Sequence, residues 1–577
     1  MTISEKESEA LDVLKKQIGE SISEISQLER YSLGYYLEDN HIKGLSLFSC
    51  GLSEIPKEIS LFSSLMKIFI RGNNLNTITE ELFSLSHLEI LDVSENQLTE
   101  LPKSISLLSS LKELHLESNQ LTVLPENIGA LKFLDTLDLS ENKLRSIPNS
   151  MGEIRQLKTL DLSRNKIEEL PNSIGKLESL EVLYLGNNKL TTLPDSISEL
   201  KSLKRLNLRN NNLIKLPDSI GNLSSLTSLF LSNNSLQELP ESIGNLKNLI
   251  YLGLTSNNLT SLPNSIGLLS SLENLSISSN ALTEIPDSIE SLKSLLRLEI
   301  SDNKLKTIPE SIGELSSLTI LRCDRNDLIN IPETIGKLKN LQILRLNINK
   351  IVDLPEAIGH LKSLHELNLY DNLIKYLPQS IGSLSSLEIL DLSKNHLKQL
   401  PESIGSLDSL IELDISTNKL KNLTPSIGAL PVIKNLIIGF NRLISIPKSL
   451  GFLTTLEVLD IGKNNLIRVP ETIGSLTSLK HLYLYYNELE EIPESIGSLQ
   501  SLKYLYLGNN KLSSLPISIG RLKKLKYLFL RSNYLTDLPE SLESLPSLQY
   551  LNIEKNYLKG YLDFLHKLEL KGIKILK

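Results

Sequence analysis

A 23-residue step governs this chain. The run Leu88-x-x-Leu91-x-Val93-x-x-Asn96-x-Leu98-x-x-Leu101-Pro102 recurs as Leu111, Leu114, Leu116, Asn119, Leu121, Leu124 and Pro125, and it holds register to Leu548, Leu551, Ile553, Asn556 and Leu558. Numbering the cassette from its first leucine, the ninth slot is Cys50 and then Asn in 22 consecutive repeats, which makes 23 repeats. A fixed period of this length means one supersecondary unit stacked on copies of itself, so the 577 residues are not four ordinary domains.

Slots 3 to 7 alternate polar and apolar, the pattern of a strand with one buried face. Slots 4 and 6 are predicted to point inward, and slots 3, 5 and 7 to face solvent. The second half reads Leu-Pro-Glu-Ser-Ile-Gly-Ser-Leu, as at 492–499 with Ile492 in the first place. Proline suits the first turn of a helical piece there, and glycine the left-handed residue that closes it. One repeat buries too little apolar surface to offset the ordering of its own backbone, so stacking is obligatory.

The period, the Asn slot and the Leu-Pro-x-x-Ile-Gly-x-Leu half resemble the leucine-rich repeat family over residues 42–570. The expected fold is an α/β solenoid: a curved leucine-rich repeat horseshoe of 23 repeats. One long parallel concave sheet would be backed by short helical or 3-10 segments on the convex side. The Asn column is expected to satisfy backbone groups at the strand-to-turn bend. Cys50 and Cys323 are expected as small buried side chains, twelve repeats apart and unable to pair.

Both ends of such a stack need covering. Residues 1–41 lack the repeat. Leu11, Leu14 and Ile18 predict a helix over 5–18 capped by Ser4 or Thr2, and a hairpin turning at Glu38-Asp39-Asn40 follows. Residues 562–570 are amphipathic, Gly572 can end that helix, and 571–577 are predicted as a capping strand. Helix-and-strand ends are similar to those of intracellular family members, and two cysteines exclude a disulfide framework. The start, MTISEKESEA, lacks the apolar core of a secretory signal, and no apolar run approaches a membrane span. A cytoplasmic monomer is expected.

No phosphate-binding loop, nucleophile elbow or paired-histidine zinc motif occurs, and the eight histidines have no metal-ligand spacing to one another or to cysteine. With no repeat carrying an inserted loop, the reading is a non-enzymatic chain with no cofactor and no metal.

Three solvent-facing zones remain. One is acidic: Asp92, Glu95, Glu113, Glu117, Asp135, Asp138, Glu141 and Asp161. One is mixed: Arg297, Arg322, Arg325 and Arg345 beside Glu299, Asp302 and Asp324, which cross-strand salt bridges explain equally well. The third is aromatic, with ten of the 17 tyrosines in the last 95 residues. Slot 3 reads His481, Tyr504, Tyr527, Tyr550. Slot 5 reads Tyr483, Tyr506, Phe529, with Tyr485 and Tyr486 alongside, and Lys480, Lys503, Lys526 and Arg531 add charge. Tyrosine beside cations is the composition of interface anchors, so these 13 residues are the candidate partner-binding site.

The 23-residue form is similar to Ras-binding scaffolds and plant intracellular Ras-group proteins. That resemblance implies a scaffold holding a signalling protein, a small GTPase or its regulator, on its concave face; separately, the lysines beside the tyrosines would steer an acidic partner there. The alternative is single-stranded nucleic-acid binding by the basic, aromatic C-terminal end, which holds a net charge of +7 over 501–577. The whole-chain charge of -8 argues against it.

Overall fold

The computed structural model describes residues 3–577, which divide into two units between Leu282 and Thr283. Both are solenoids of stacked 23-residue repeats, of the expected α/β kind.

The first unit opens on helix α1, Glu5–Ile18. Ser4 is its cap: its hydroxyl accepts from the Glu7 N–H while the Glu7 carboxylate accepts from the Ser4 N–H, satisfying two end donors reciprocally. Thr2, the other candidate cap, lies outside the described residues. Glu7 is buried, and its Oε1 also accepts the Ile42 N–H at 3.1 Å, so one carboxylate ties the helix to the first repeat. Strand β1 (Leu33–Glu38) pairs antiparallel with β2 (His41–Leu47) through Asp39 and Asn40. Both turn residues have positive φ, 51° and 63°, the two-residue hairpin geometry that matches strand twist. β2 is itself the first repeat strand, and from it parallel strands follow in register, Gly44 beside Lys67 and Lys67 beside Ile90, to Tyr251 beside Asn274.

In the second unit the same ladder runs from Arg297 beside Ile320 to Tyr550 beside Lys574. Helix α2, Leu562–Leu570, buries Leu565 and Leu568, and Gly572 at φ 82° turns the chain into the last strand, Lys574–Leu576. Among the described residues no helix is long and apolar enough to cross a membrane.

Each regular repeat strand is three residues, slots 3 to 5, with slot 4 buried and its neighbours mostly half-buried, as in Tyr504–Tyr506. Slot 6 stays inside although the strand has ended: Leu507 is fully buried. The Asn column does what a bend requires. Asn510 Nδ2 donates to the carbonyls of Leu484 and Leu507, at 3.0 and 2.9 Å, and its Oδ1 accepts the Leu489 N–H.

The second half of the cassette differs from expectation in two ways. Proline precedes the 3-10 turn in extended conformation instead of starting it: Pro493 has φ -67° and ψ 150° before Glu494–Ser498. The cassette glycine does not close the turn in left-handed geometry. It sits inside the turn because the next repeat presses on it; a Cβ at Gly497 would stand 2.4 Å from the Ser518 carbonyl oxygen. The left-handed residue is slot 8, immediately before the Asn, and residue types as different as Glu95, Arg164, Ile348 and Phe440 adopt it. The acidic residue after proline links repeats: Glu494 accepts from the N–H groups of Ile517 and Ser518.

Both cysteines are free thiols, Cys323 fully buried. Cys50 corrects the expectation, being only half-buried. Burial still pushes its thiol up to about 11, Glu20 adding to the effect.

Candidate functional site

The aromatic zone lies on four adjacent strands of the second unit, His481–Tyr483, Tyr504–Tyr506, Tyr527–Phe529 and Tyr550–Asn552. Their register sets equivalent slots side by side. Parallel strands lie about 4.8 Å apart, close to the stacking distance of rings, and two columns result. In slot 3, His481 stacks on Tyr504 at 4.5 Å and Tyr504 on Tyr527 at 4.8 Å. In slot 5, Tyr483 stacks on Tyr506 at 4.6 Å and Tyr506 on Phe529 at 4.3 Å. Tyr550 closes both, tilted against Tyr527 and Phe529 at 6.2 and 5.1 Å. The rings are half-buried.

Slot 7 adds relief. Tyr485 lies over Gly462 of the preceding repeat, where a Cβ would stand 2.5 Å from the ring. Gly439, Gly462 and Gly508 keep that slot low on either side of Tyr485. In slot 8, Lys463 is held between two rings, 4.2 Å from Phe440 and 5.3 Å from Tyr486. Phe440, Gly462 and Lys463 therefore extend the site beyond the sequence reading. Gly462 falls in solvent-facing slot 7, one repeat before Tyr485, whereas Phe440 and Lys463 stand in slot 8, the column of Tyr486, which the strand alternation does not address.

The cations divide into two kinds. Lys480 pairs with Glu457 at 2.5 Å and Arg531 with Glu554 at 3.4 Å. Lys503 and Lys526 have no ion-pair partner among the described residues. Partial burial, then Lys503 and Lys480, hold the His481 imidazole below its ordinary range, so it is neutral at pH 7. Burial raises the phenols of Tyr483, Tyr485 and Tyr506, with Asp460 contributing at the first two and Tyr483 at the third. The face thus offers rigid apolar contact area, phenol hydroxyls and two uncommitted positive charges.

The other zones are laced with ion pairs. In the mixed zone Glu299 accepts from Arg297 and Arg322, and Arg345 holds Glu366 through two bonds of 2.7 and 3.2 Å. In the acidic zone, within the first unit, Arg71 bridges Glu95 and Glu117, and Arg30 reaches the fully buried Asp92. His115, Glu117 and Asp138 converge there. A small cluster that slot reading missed is Arg209 over the Phe230 ring at 4.4 Å, with Phe230 4.8 Å from Tyr251.

The family profile described as "Leucine rich repeat" matches residues 63–121, 116–167, 155–213, 270–328 and 431–489. A second, "Leucine-rich repeat region", matches 197–281 and 468–577. No curated protein matches the chain. Among solved structures, the plant peptide hormone receptor RGFR1 in complex with RGF2 is 31% identical, with 93% of this chain and 92% of that one covered at a TM-score of 0.65. The Arabidopsis receptor kinase HAESA, solved with the peptide hormone IDA and the co-receptor SERK1, is 28% identical over 94% and 91%, at 0.63. A TDR receptor is 28% identical over 86% of each chain, at 0.65. With the period, the Asn column and these matches together, the chain belongs to the leucine-rich repeat family.

Proposed function

We infer that this chain is a non-enzymatic scaffold that docks a protein or peptide partner on the aromatic face of its second unit. The observation that carries the reading is the pair of stacked columns flanked by Lys503 and Lys526. Rings held by a sheet lose little entropy when a partner arrives, and aromatic anchors dominate interface energetics. The two unpaired lysines favour an acidic partner segment. Peptide hormones on two of the similar receptors support the general use of such arrays for holding peptide ligands.

The site is proposed to work in the cytoplasm as part of signalling, with a small GTPase or its regulator as the partner class that the Ras-group resemblance suggests. Two unpaired thiols and ends closed by helix and strand support that location.

The rival reading, base stacking on the rings, is disfavoured by one feature. Tyr504 and Tyr506 each have both ring faces occupied by neighbours, so they show a partner edges and hydroxyls, whereas stacking of bases needs free faces. A photo-crosslinking residue at Phe529, compared with one at Asp414 in the same slot, tests the site. A protein adduct from position 529 and none from 414 is expected. An RNA adduct, or equal adducts from both positions, would overturn the reading.

A further inference from the structure

In the first unit, slot 5 of four consecutive strands reads Asp92, His115, Asp138, Asp161, side by side in register. Where slot 5 is Asp, slot 7 is Ser and binds it: Asp92 accepts from the Ser94 N–H, Asp138 from the Ser140 N–H and hydroxyl, and Asp161 from the Ser163 N–H. The repeat between them breaks this pairing by carrying His115 in slot 5 and Glu117 in slot 7. Its two side chains reach toward Asp138 instead of satisfying each other, and one ligand atom from each of the three lies within 4.8 Å of the others.

Each of the three has one atom fixed by a neighbour. His115 is only 6% exposed, its Nε2 faces Glu113 at 3.2 Å, and its Nδ1 is buried with no hydrogen-bond partner. The Glu117 Oε1 is held by Arg71, and its Oε2 is buried without a partner. The Asp138 Oδ1 is held by Ser140. A carboxylate on the far nitrogen of an imidazole is the arrangement that orients metal-binding histidines and fixes their tautomer. Here the Glu113 carboxylate accepts the Nε2–H, which leaves the lone pair on Nδ1.

We propose that His115 Nδ1, Glu117 Oε2 and an Asp138 oxygen bind a divalent transition-metal ion of the zinc type. One imidazole and two carboxylates suit zinc, cobalt or nickel, and the nitrogen disfavours calcium and magnesium. A tetrahedral ion with bonds of about 2.1 Å spaces its ligands about 3.4 Å apart, so small side-chain rotations close the set. The Glu117 and Asp138 carboxylates lie within 4.8 Å of each other, a like-charge repulsion that a cation would relieve. Arg71 relieves it in part, but it divides its charge between Glu117 and Glu95.

The test uses the full chain with Zn²⁺ by calorimetry and Co²⁺ by visible absorption. One equivalent should bind, with Co²⁺ bands of a low-coordinate site, and neither Ca²⁺ nor Mg²⁺ should displace it. His115→Gln and Glu117→Gln should each weaken binding at least tenfold, and His566→Gln, on an exposed histidine, should leave it unchanged. Melting curves check that the variants fold. Should one fail, the other variant decides, together with the rise in wild-type Tm that Zn²⁺ should produce. No stoichiometric uptake by the wild type would overturn the proposal. Uptake that survives both substitutions would overturn it as well.

Discussion

The rings of Tyr504 and Tyr527 stand 4.8 Å apart and within 2° of parallel on neighbouring strands. The separation is that of the strands themselves, so the backbone ladder sets the stack and each ring braces the next. Tyr527→Ser removes the contacts to Tyr504 and Tyr550. A local loss of about 1–2 kcal/mol is expected from ring pairs worth about 0.5–1.5 kcal/mol each. Amide exchange at Leu505 and Leu528 should quicken accordingly, while exchange at Leu413 stays as it was. No local change would mean that the rings stack without bracing.

His481 ends one column with its imidazole held below the ordinary value by partial burial and by Lys503 and Lys480. Its folded pKa being the lower one, the unfolded chain takes up the proton first as pH falls. The stability this neutral ring contributes is therefore present above about 6.5 and is lost as pH drops through that value toward the folded pKa. NMR titration should place His481 below 6.5. Lys503→Gln should move it upward. A pKa at or above 6.5 in the wild type would contradict the electrostatics described for this face.

Asn326 makes four hydrogen bonds at its bend, to the carbonyls of Ile300, Cys323 and Asp324 and from the Leu305 N–H. Asn326→Leu leaves buried backbone groups without partners, at about 1–3 kcal/mol for each that water cannot reach. A clear fall in the denaturation midpoint is expected. A midpoint within error of wild type would refute the role assigned to the Asn column.

Ile348 holds the left-handed slot at φ 56°, a conformation that is costly for a β-branched side chain. Asn fills the same slot at 187, 210, 233 and 509. Ile348→Asn is expected to stabilise the chain by about 0.5–1 kcal/mol, from relief of the roughly 1–2 kcal/mol left-handed penalty less some lost packing. Destabilisation would show that the isoleucine contacts outweigh backbone strain.

What the sequence displayed and what it hid divide along a physical line. Features that repeat every 23 residues were legible: the strand slots, the Asn column and the aromatic columns, because one periodicity places all of them. The capping helices at 5–18 and 562–570 were legible from apolar spacing. The left-handed residue was not, because the strand-to-turn bend imposes it on slot 8 whatever stands there, from Arg164 to Phe440. The cassette glycine misled for the same reason: its need is space beside the next repeat, a contact 21 residues away, as between Gly497 and Ser518. The convergence of His115 with Glu117 and Asp138 was hidden because it crosses slots and strands at once. Searching for histidine and cysteine spacing along the chain misses a ligand set supplied by a neighbouring repeat.

The central claim is that the aromatic columns hold a partner. Its most direct measurement is the affinity of the partner that crosslinks at position 529, for wild type and for Tyr504→Ser combined with Tyr527→Ser. Circular dichroism confirms that the double variant is folded. Glu141→Gln with Asp161→Asn in the acidic zone is the matched control. Binding is expected to weaken by about 2–4 kcal/mol in the tyrosine pair, roughly 30- to 1,000-fold, with the control unchanged. Full affinity in the tyrosine pair, or loss confined to the acidic pair, would contradict the account.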